Sequence, residues 1–350
     1  MKIAILGDTH FGARNRNVVI ESWQKRFYEE VFWPYIEENK IQRIIQVGDW
    51  FDSRKWLNIQ TLAFQKEMMI ERCQANDVQL DVLVGNHDIP FKHSLKNNSP
   101  SQVLGKEHLV NVVEETEQIT IEDCQITLMP WVCKENYEKS FEIIRGGGDV
   151  LIGHYDVQGA LMFPGNYSKD GFDLFDFKDW KKVISGHYHT QSTTENFTYT
   201  GTPYELMWSD SGGRHGFWLL DTATRELEFI PNPHGYHIKL IYANNSEPSD
   251  LEGEDLKNTY VKLYVKEKES FENFEKYIDA INLKQPFELK IIESFEQFNA
   301  DNVEDIIELS ETTDLISEYI DDVGTDLNKK QIKEIMLEIY EEAKEADDNI

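Results

Sequence analysis

The first 85 residues alternate between short apolar runs and segments whose apolar side chains recur at helical spacing. The elements that this pattern predicts are strands over 2–7, 43–47 and 79–84, and helices over 18–38 and 58–75. Pro34 should kink the first helix or begin a new turn. The strand–helix–strand order indicates an α/β sheet, in which functional sites form at the carboxyl ends of the strands.

After residue 105 the pattern changes to short strands separated by turn signals such as Gly146-Gly147-Gly148. The predicted strands lie roughly at 109–113, 117–122, 125–129, 149–153, 182–186, 197–201, 216–221 and 226–230. A helix is predicted near 136–145. We expect these strands to form a second sheet packed on the first, giving an α/β fold built as a two-sheet sandwich flanked by helices.

The breaker cluster Pro231-Asn232-Pro233-His234-Gly235 suggests a domain boundary, so residues 1–233 are predicted to form the main domain. Residues 236–293 have strand and helix signals of their own and are predicted to form a small α/β cap domain. Residues 294–312 are polar and acidic, which favours a linker. Two amphipathic helices, over 313–323 and 327–345, are predicted in a helical tail that spans 313–350.

The charge balance argues against a generally basic nucleic-acid-binding surface. The net charge is −29, and 40% of the residues are apolar, which is enough for a packed core. Residues 293–350 contain 19 acidic and four basic residues, so about half of the net charge lies in the last sixth of the chain. That acidity suits a solvated tail or a segment that docks on a basic partner.

No signal peptide or membrane span is expected from the sequence, and the three cysteines are widely spaced with no C-x-x-C motif. We expect reduced core thiols in a cytoplasmic protein, and a location in the host cytoplasm if a phage encodes the chain.

Five short polar motifs, most of them directly after predicted strands, indicate the chemistry. They are Asp8-Thr9-His10, Gly48-Asp49-Trp50-Phe51-Asp52, Gly85-Asn86-His87-Asp88, Gly153-His154 and Gly186-His187-Tyr188-His189. Their carboxylate, amide and imidazole groups, without thiolate, suit Mn, Fe or Zn better than Ca, which prefers oxygen ligands alone. A motif such as Gly153-His154 is nearly uninformative by itself, whereas all five in this order are highly specific.

The ordered set is typical of a two-metal hydrolytic site. Two divalent ions about 3.5–4 Å apart suit in-line displacement at phosphorus, because they activate a water and offset charge on the phosphoryl oxygens. His87 is placed to stabilise that charge or to protonate the leaving oxygen. Asp88 is the residue that we expect to orient His87. The alternative is that these residues have no catalytic role and are ordinary polar turn residues at strand ends.

With these motifs, and with Met129-Pro130-Trp131, Gly201-Thr202-Pro203 and Arg214-His215-Gly216-Phe217, residues 1–230 resemble the calcineurin-like metallophosphoesterase superfamily. Within it, the chain resembles the nuclease subunit of the SbcCD-type DNA double-strand-break repair complex, especially the recombination endonuclease subunit of tailed bacteriophages. This narrower resemblance also draws on the small cap domain and the helical tail.

The resemblance implies specific site residues and partners. One metal would be held by Asp8, His10, Asp49 and His189, and a second by Asp49, Asn86, His154 and His187. His87 would be the catalytic histidine, paired with Asp88. The resemblance further implies two Mn²⁺ ions and a homodimer within a heterotetramer. The partner would be a coiled-coil, SMC-like ATPase bound through residues 313–345.

Asp52 departs from the pattern of archaeal and eukaryotic relatives, which have His at this position. We interpret it as a residue beside the ligands or on the substrate side, and this departure bears on the strength and polarity of exonuclease activity. The loops after the first three motifs also contain cations that are candidates for contact with DNA phosphates: Arg14, Arg16, Arg54, Lys55, Lys92 and Lys96. The alternative is ordinary surface charge.

The function expected is therefore that of a Mn-dependent DNA endo- and exonuclease subunit. A phosphomonoesterase or phosphoprotein phosphatase of the same fold is the leading alternative, and a non-catalytic scaffold is another. The remaining histidines are interpreted first as structural or surface residues, and His93 and His215 are those among them most expected to line the cleft.

Overall fold

The computed structural model describes residues 1–91, 93–163 and 166–293. The strands are β1 (Lys2–Leu6), β2 (Arg43–Gln46), β3 (Gln79–Leu83), β4 (Val110–Val113), β5 (Glu117–Ile121), β6 (Cys124–Met129), β7 (Gly148–His154), β8 (Leu161–Phe163), β9 (Asn166–Tyr167), β10 (Trp180–Gly186), β11 (Ser192–Thr194), β12 (Phe197–Tyr199), β13 (Gly216–Asp221), β14 (Leu227–Pro231), β15 (His237–Tyr242), β16 (Tyr260–Val265) and β17 (Glu288–Glu293). The helices are α1 (Ala13–Arg16), α2 (Val18–Phe27), α3 (Trp33–Glu38), α4 (Ile59–Gln65), α5 (Glu71–Ala75), α6 (Ser99–Leu104), α7 (Tyr137–Gly146) and α8 (Phe271–Leu283).

The first sheet has the order β14-β13-β1-β2-β3-β4, with β1 to β4 parallel and β13 antiparallel to β1. The prediction that 109–113, 216–221 and 226–230 lie in the second sheet was therefore wrong. Strand periodicity indicates which faces of a strand are buried, but it does not say which neighbour the strand pairs with. In β13, Leu219 packs on one core and Leu220 on the other, as in any strand buried on both faces.

The second sheet has the order β11-β12-β10-β7-β6-β5, with β12, β10, β7 and β6 parallel. Its inner face packs on the first sheet, where Ile5 and Ile45 meet Ile152 and Ile184 in one buried cluster. The outer face of each sheet has a buried cluster of its own, rich in aromatic side chains. The fold is thus a two-sheet α/β sandwich flanked by helices.

Two of the predicted helices contain π-helical turns. Tyr28–Phe32 joins α2 to α3 without a break, and Lys66–Ile70 joins α4 to α5 in the same way. Pro34 lies in the first turn of α3, directly after the first π-helical turn, where the sequence predicts a kink or a new turn. Proline has no amide hydrogen to continue the α-helical ladder, and a change of helical pitch next to it is a common accommodation.

After β14 in the chain, β15, β16 and β17 form a separate small parallel sheet, which α8 covers on one face. Trp23 of α2 donates from its indole N–H to the backbone oxygen of Asn258 at 2.8 Å, and its ring stacks on Tyr236 with centroids 5.7 Å apart. The division of the chain near residues 233–236 stays a prediction. The predicted linker and tail helices lie outside the described residues.

Candidate two-metal centre

The five motifs meet at one edge of the sandwich, because each follows or ends a parallel strand. In the first sheet, Asp8 and His10 follow β1, Asp49 follows β2, and Asn86, His87 and Asp88 follow β3; in the second, His154 ends β7, and His187 and His189 follow β10. All seven predicted ligand residues are therefore brought together, and they come from both sheets. Their role as ligands stays a prediction.

One group of possible ligands consists of Asp8, His10 and His189. One potential ligand atom from each lies within 4.8 Å of those of the other two. Asp8 and His10 are 0% and 2% exposed, so the group lies at the floor of the site. Asp49 is close, with its Oδ2 at 3.8 Å from His10 Nε2.

A second group forms around Asn86, whose side-chain oxygen lies 3.0 Å from His154 Nε2 and 2.9 Å from His187 Nδ1. Asp49 Oδ2 lies 3.4 Å from the same His154 nitrogen. Separations of about 3 Å are those expected between neighbouring ligand atoms that each lie roughly 2.1 Å from a single ion. Asp49 therefore lies between the two groups, as a bridging carboxylate would.

The polar atoms of this site fit divalent cations. Asp8 Oδ1 and His10 Nε2 are buried and have no hydrogen-bond partner among the described residues, and such orphaned atoms are costly without a partner. His154 Nδ1 lies 2.8 Å from the backbone oxygen of Val47, to which it must donate, so its Nε2 is left to face the oxygens of Asn86 and Asp49. A cation bound there would satisfy this group of lone pairs.

The backbone is strained at three of the candidate ligands. His10, Asp49 and His187 have backbone φ values of 42°, 53° and 94°. Residues other than glycine rarely adopt this positive-φ region. Such strain persists where the surrounding structure enforces it, and it is concentrated at functional sites. Here it turns the three side chains toward a common centre.

Burial and crowding shift the protonation of the candidate ligands in opposite directions. Burial raises the pKa of Asp8 to about 7, with His154 opposing and Asp49 adding to the shift. Burial alone would lower the pKa of His154, but the charges of Asp49 and Asp8 outweigh it and raise that pKa to about 9. Burial, with the positive charge of His154, lowers the pKa of His187 to about 3. Cations would take the place of protons in this cluster.

His87 lies beside the first group, with its ring centroid 4.9 Å from that of His10. Its backbone N–H donates to Asp49 Oδ1 at 2.7 Å, and its Nδ1 lies 2.9 Å from the backbone oxygen of Asp52. A carbonyl oxygen only accepts, so Nδ1 carries a hydrogen. This leaves Nε2 as the ring atom that can hold or release a proton.

Asp88 has a different role from the one expected, because its carboxylate makes no hydrogen bond to His87. It accepts three backbone N–H bonds instead, from Gly85 at 2.9 Å, Phe51 at 3.1 Å and Trp50 at 3.2 Å. The expectation that Asp88 orients His87 is corrected on this point. Asp88 ties the loops after β2 and β3 together, and the backbone oxygen of Asp52 occupies the position expected of the orienting group.

Asp52 contacts both His10 and the loop of Arg14. Its Oδ1 lies 3.3 Å from His10 Nδ1, and its Oδ2 accepts from the Arg14 backbone N–H at 3.1 Å. A carboxylate on the second nitrogen of a ligating histidine fixes the ring and raises its basicity. This geometry agrees with a position beside the ligands.

Sequence reasoning missed Asp210, whose Oδ2 lies 3.8 Å from His189 Nδ1. The same oxygen accepts from the backbone N–H groups of Leu206 and Met207. His215 lies behind it and is buried, with Nε2 at 2.9 Å from the backbone oxygen of Asp210. Asp210 follows no strand and belongs to no motif, so no signal in the sequence would have found it.

The predicted phosphate-contacting cations differ in whether they already form ion pairs. Within the described residues, Arg14, Arg54 and Lys55 form no ion pair. Arg16 pairs with Glu21 at 2.8 Å and Lys96 with Glu135 at 3.2 Å, while Lys92 lies outside the described residues. His93 is exposed and stacks loosely on Phe91.

The sequence profile of the calcineurin-like phosphoesterases matches residues 1–191, and the chain belongs to this family. It is a metal-dependent phosphoesterase, a hydrolase of a family that uses divalent metal ions. Among individual proteins, the chain is similar to "Exonuclease subunit 1" of Enterobacteria phage T4, with 29% identity over 98% of this chain and 99% of the phage protein.

Solved structures with similarity to the chain include an archaeal phosphodiesterase, with a TM-score of 0.33 and 11% identity over 66% of this chain and all of the other. A dimetal phosphatase from Danio rerio has a TM-score of 0.37 and 8% identity over 63% of this chain and 91% of the other. Among the described residues, no helix is both long and apolar enough to cross a membrane.

Proposed function

We propose that this chain is a Mn²⁺-dependent DNA nuclease subunit with endo- and exonuclease activity, acting in DNA recombination and double-strand-break repair. The observation that carries the proposal is the similarity, along 98% of the chain, to a phage T4 protein named as an exonuclease subunit. Arg14, Arg54 and Lys55, which form no ion pair within the described residues, lie in the loops after two of the motifs and give further support, since a polynucleotide offers phosphates on both sides of the bond to be cut.

The residues of the site divide into those that hold ions and one that handles a proton. Asp8, His10, Asp49 and His189 would hold one ion, and Asp49, Asn86, His154 and His187 the other. When bound, two divalent ions supply Lewis acidity that activates water and offsets charge on the phosphoryl oxygens. His87, held through Nδ1 by the backbone of Asp52, has Nε2 free to give a proton to the leaving oxygen.

The word "subunit" in the name of the phage protein supports a complex. We propose a homodimer that assembles with a coiled-coil ATPase, with residues 313–345 as the docking segment and residues 236–293 as a cap domain separate from the nuclease domain. The acidic composition of 293–350 favours a basic surface on that partner.

A substrate comparison tests the proposal. Metal-stripped protein is given Mn²⁺, Mg²⁺, Ca²⁺ or no metal, and is then incubated with linear duplex DNA, single-stranded DNA or p-nitrophenyl phosphate. We expect DNA to be degraded with Mn²⁺ and not after chelation, with much weaker hydrolysis of the monoester. Efficient monoester hydrolysis without any DNA cleavage would instead identify a phosphomonoesterase, and no hydrolysis of any substrate would favour a scaffold.

A further inference from the structure

The small sheet formed by β15, β16 and β17 has one open face. Side chains alternate between the faces of a strand. Val261, Leu263 and Val265 of β16 point toward α8 and pack on its Phe274 and Tyr277. The alternate residues of the three strands therefore lie on the other face. The Trp208 ring packs on this face at His237, with ring centroids 4.8 Å apart, whereas Lys239 and Lys290 are exposed on it.

Three lysines stand side by side on this open face. The register pairs Lys239 with Lys262, and Lys262 with Lys290. Neighbouring strands are about 4.8 Å apart, so the row places three ammonium-bearing side chains across roughly 10 Å. We call Lys239, Lys262 and Lys290 the lysine row.

No lysine of the row forms an ion pair within the described residues. Glu288 is an acidic side chain near enough to act on Lys262 electrostatically, but it pairs with none of the three. Burial lowers the pKa of Lys262, and the charges of Lys290 and Lys239 lower it further. Like charges directly opposite one another destabilise a sheet. In a chain with a net charge of −29, a row of cations of this kind is a candidate site for an anionic ligand.

The lysine row is linked to the candidate metal centre through the contacts of one short turn. The Lys262 ammonium lies 4.1 Å from the centroid of the Trp208 ring. Trp208 begins the 3₁₀ turn Trp208–Asp210, and Asp210 is the residue beside the candidate ligand His189, at 3.8 Å. This turn contacts the middle of the row at one end and the metal centre at the other. A polynucleotide has many phosphates along its length, so it is the kind of anion that could contact both places at once.

We propose that the lysine row binds the phosphate backbone of the polynucleotide strand whose phosphodiester lies at the metal centre. The inference rests on the proposed nuclease function and extends it, because it assigns the open face of the small sheet to substrate. The acidic segment 294–350 also has complementary charge, but the connection through Trp208 to the site that cuts phosphoesters favours the polynucleotide.

The test compares two triple variants that remove the same charge from the same module. One replaces the row, as Lys239→Gln, Lys262→Gln and Lys290→Gln. The other, as a control, replaces three lysines outside it: Lys257→Gln, Lys276→Gln and Lys284→Gln. Binding of a fluorescent oligonucleotide is measured by anisotropy in EDTA over a range of salt concentrations. Hydrolysis of the same oligonucleotide and of bis-p-nitrophenyl phosphate is measured with Mn²⁺.

We expect the row variant to bind the oligonucleotide at least about tenfold more weakly at 0.1 M salt. The slope of log K against log salt should fall by roughly one for each lysine in contact with a phosphate. Its KM for the oligonucleotide should rise, while its hydrolysis of bis-p-nitrophenyl phosphate and all properties of the control stay at the wild-type level. Removal of the row lysines without any change in affinity or salt slope would overturn the inference.

Two further outcomes are distinct. If the row variant binds the oligonucleotide more tightly than wild type, the row holds an anionic competitor such as segment 294–350, and the inference is wrong. Failure of the proposed function has a different signature, because wild-type protein with Mn²⁺ would then leave the oligonucleotide intact, whatever the binding data.

Discussion

His87 is held in a way that leaves one ring nitrogen free. Its Nδ1 donates to the backbone oxygen of Asp52, and its backbone N–H donates to Asp49, so both ring position and tautomer are set by the two loops. Because these contacts use Nδ1 and the main chain, Nε2 remains for proton transfer. This arrangement separates His87 from the histidines whose nitrogens converge on Asn86.

Replacing this imidazole should remove proton transfer without removing metal. We expect His87→Ala to lower kcat for DNA cleavage by about 10²–10⁴-fold, the range typical of a lost general acid or base. Metal content, measured by elemental analysis after dialysis, should stay near that of wild type. His108→Ala, at an exposed histidine outside the five motifs, is the control and should leave both quantities unchanged. Loss of metal from the His87 variant would instead make this residue a ligand.

At the level of residues, the sequence predicted the side chains that follow directly on strands. It did not predict the contacts that groups from other parts of the chain make with them. Asp8, Asp49 and His154 could be proposed because each adjoins an apolar run. The backbone oxygen of Val47 is not visible as a contact in any sequence pattern. The role of Asp88 was misjudged because adjacency to His87 along the chain does not bring its carboxylate to that ring. It turns instead to the backbone N–H groups of the neighbouring loop.

The ends of the strands approach so closely that some positions have no room for a side chain. A Cβ at Gly186, the last residue of β10, would lie closer than 3.0 Å to the Asp8 carboxylate, the Val47 oxygen and the His154 ring. The glycines before the motifs therefore allow ligands from the two sheets to converge. Their recurrence in four of the five motifs follows from this packing.

Gly186→Ala should consequently disturb the metal centre through steric overlap. We expect metal affinity and DNA cleavage to fall by about 10–100-fold, as they do when the groups supporting metal ligands are displaced. Gly146→Ala is the matched control, because a Cβ at Gly146 would have no atom within 4 Å. Metal titration and DNA cleavage assays on the two variants measure both effects. Equal activity of the two variants would show that Asp8 and His154 are not held as tightly as the structure implies.

At the level of elements, the sequence predicted the positions of most strands but not their partners. Fourteen strands of the described residues, among them β1, β7, β10 and β13, lie within a few residues of the predicted positions, because burial imposes a readable apolar pattern. The pairing of β13 with β1 joins residues more than 200 positions apart, and no local signal encodes it. The short strands β8, β9 and β11 were missed, since two or three residues are too few to display a period.

On the scale of the whole molecule, the candidate metal centre joins the two sheets. Asp8, Asp49 and Asn86 come from the first sheet, and His154, His187 and His189 from the second. Two buried atoms of this set, Asp8 Oδ1 and His10 Nε2, have no partner among the described residues. Cations bound at this place would therefore stabilise the sandwich as well as act in catalysis.

This linkage predicts that the protein melts at a higher temperature with metal than without it. An ion present at 100 times its Kd stabilises the folded state by about 2.7 kcal/mol, which corresponds to a rise in Tm of roughly 5–10 °C for a domain of this size. Calorimetry of the stripped protein with Mn²⁺ or with EDTA measures the rise. Asp49→Ala, which removes the proposed bridging carboxylate, should abolish most of it, while Asp279→Ala, at an exposed position of α8, should retain it. An equal rise in both variants would mean that Mn²⁺ stabilises the protein somewhere other than at the meeting point of the two sheets.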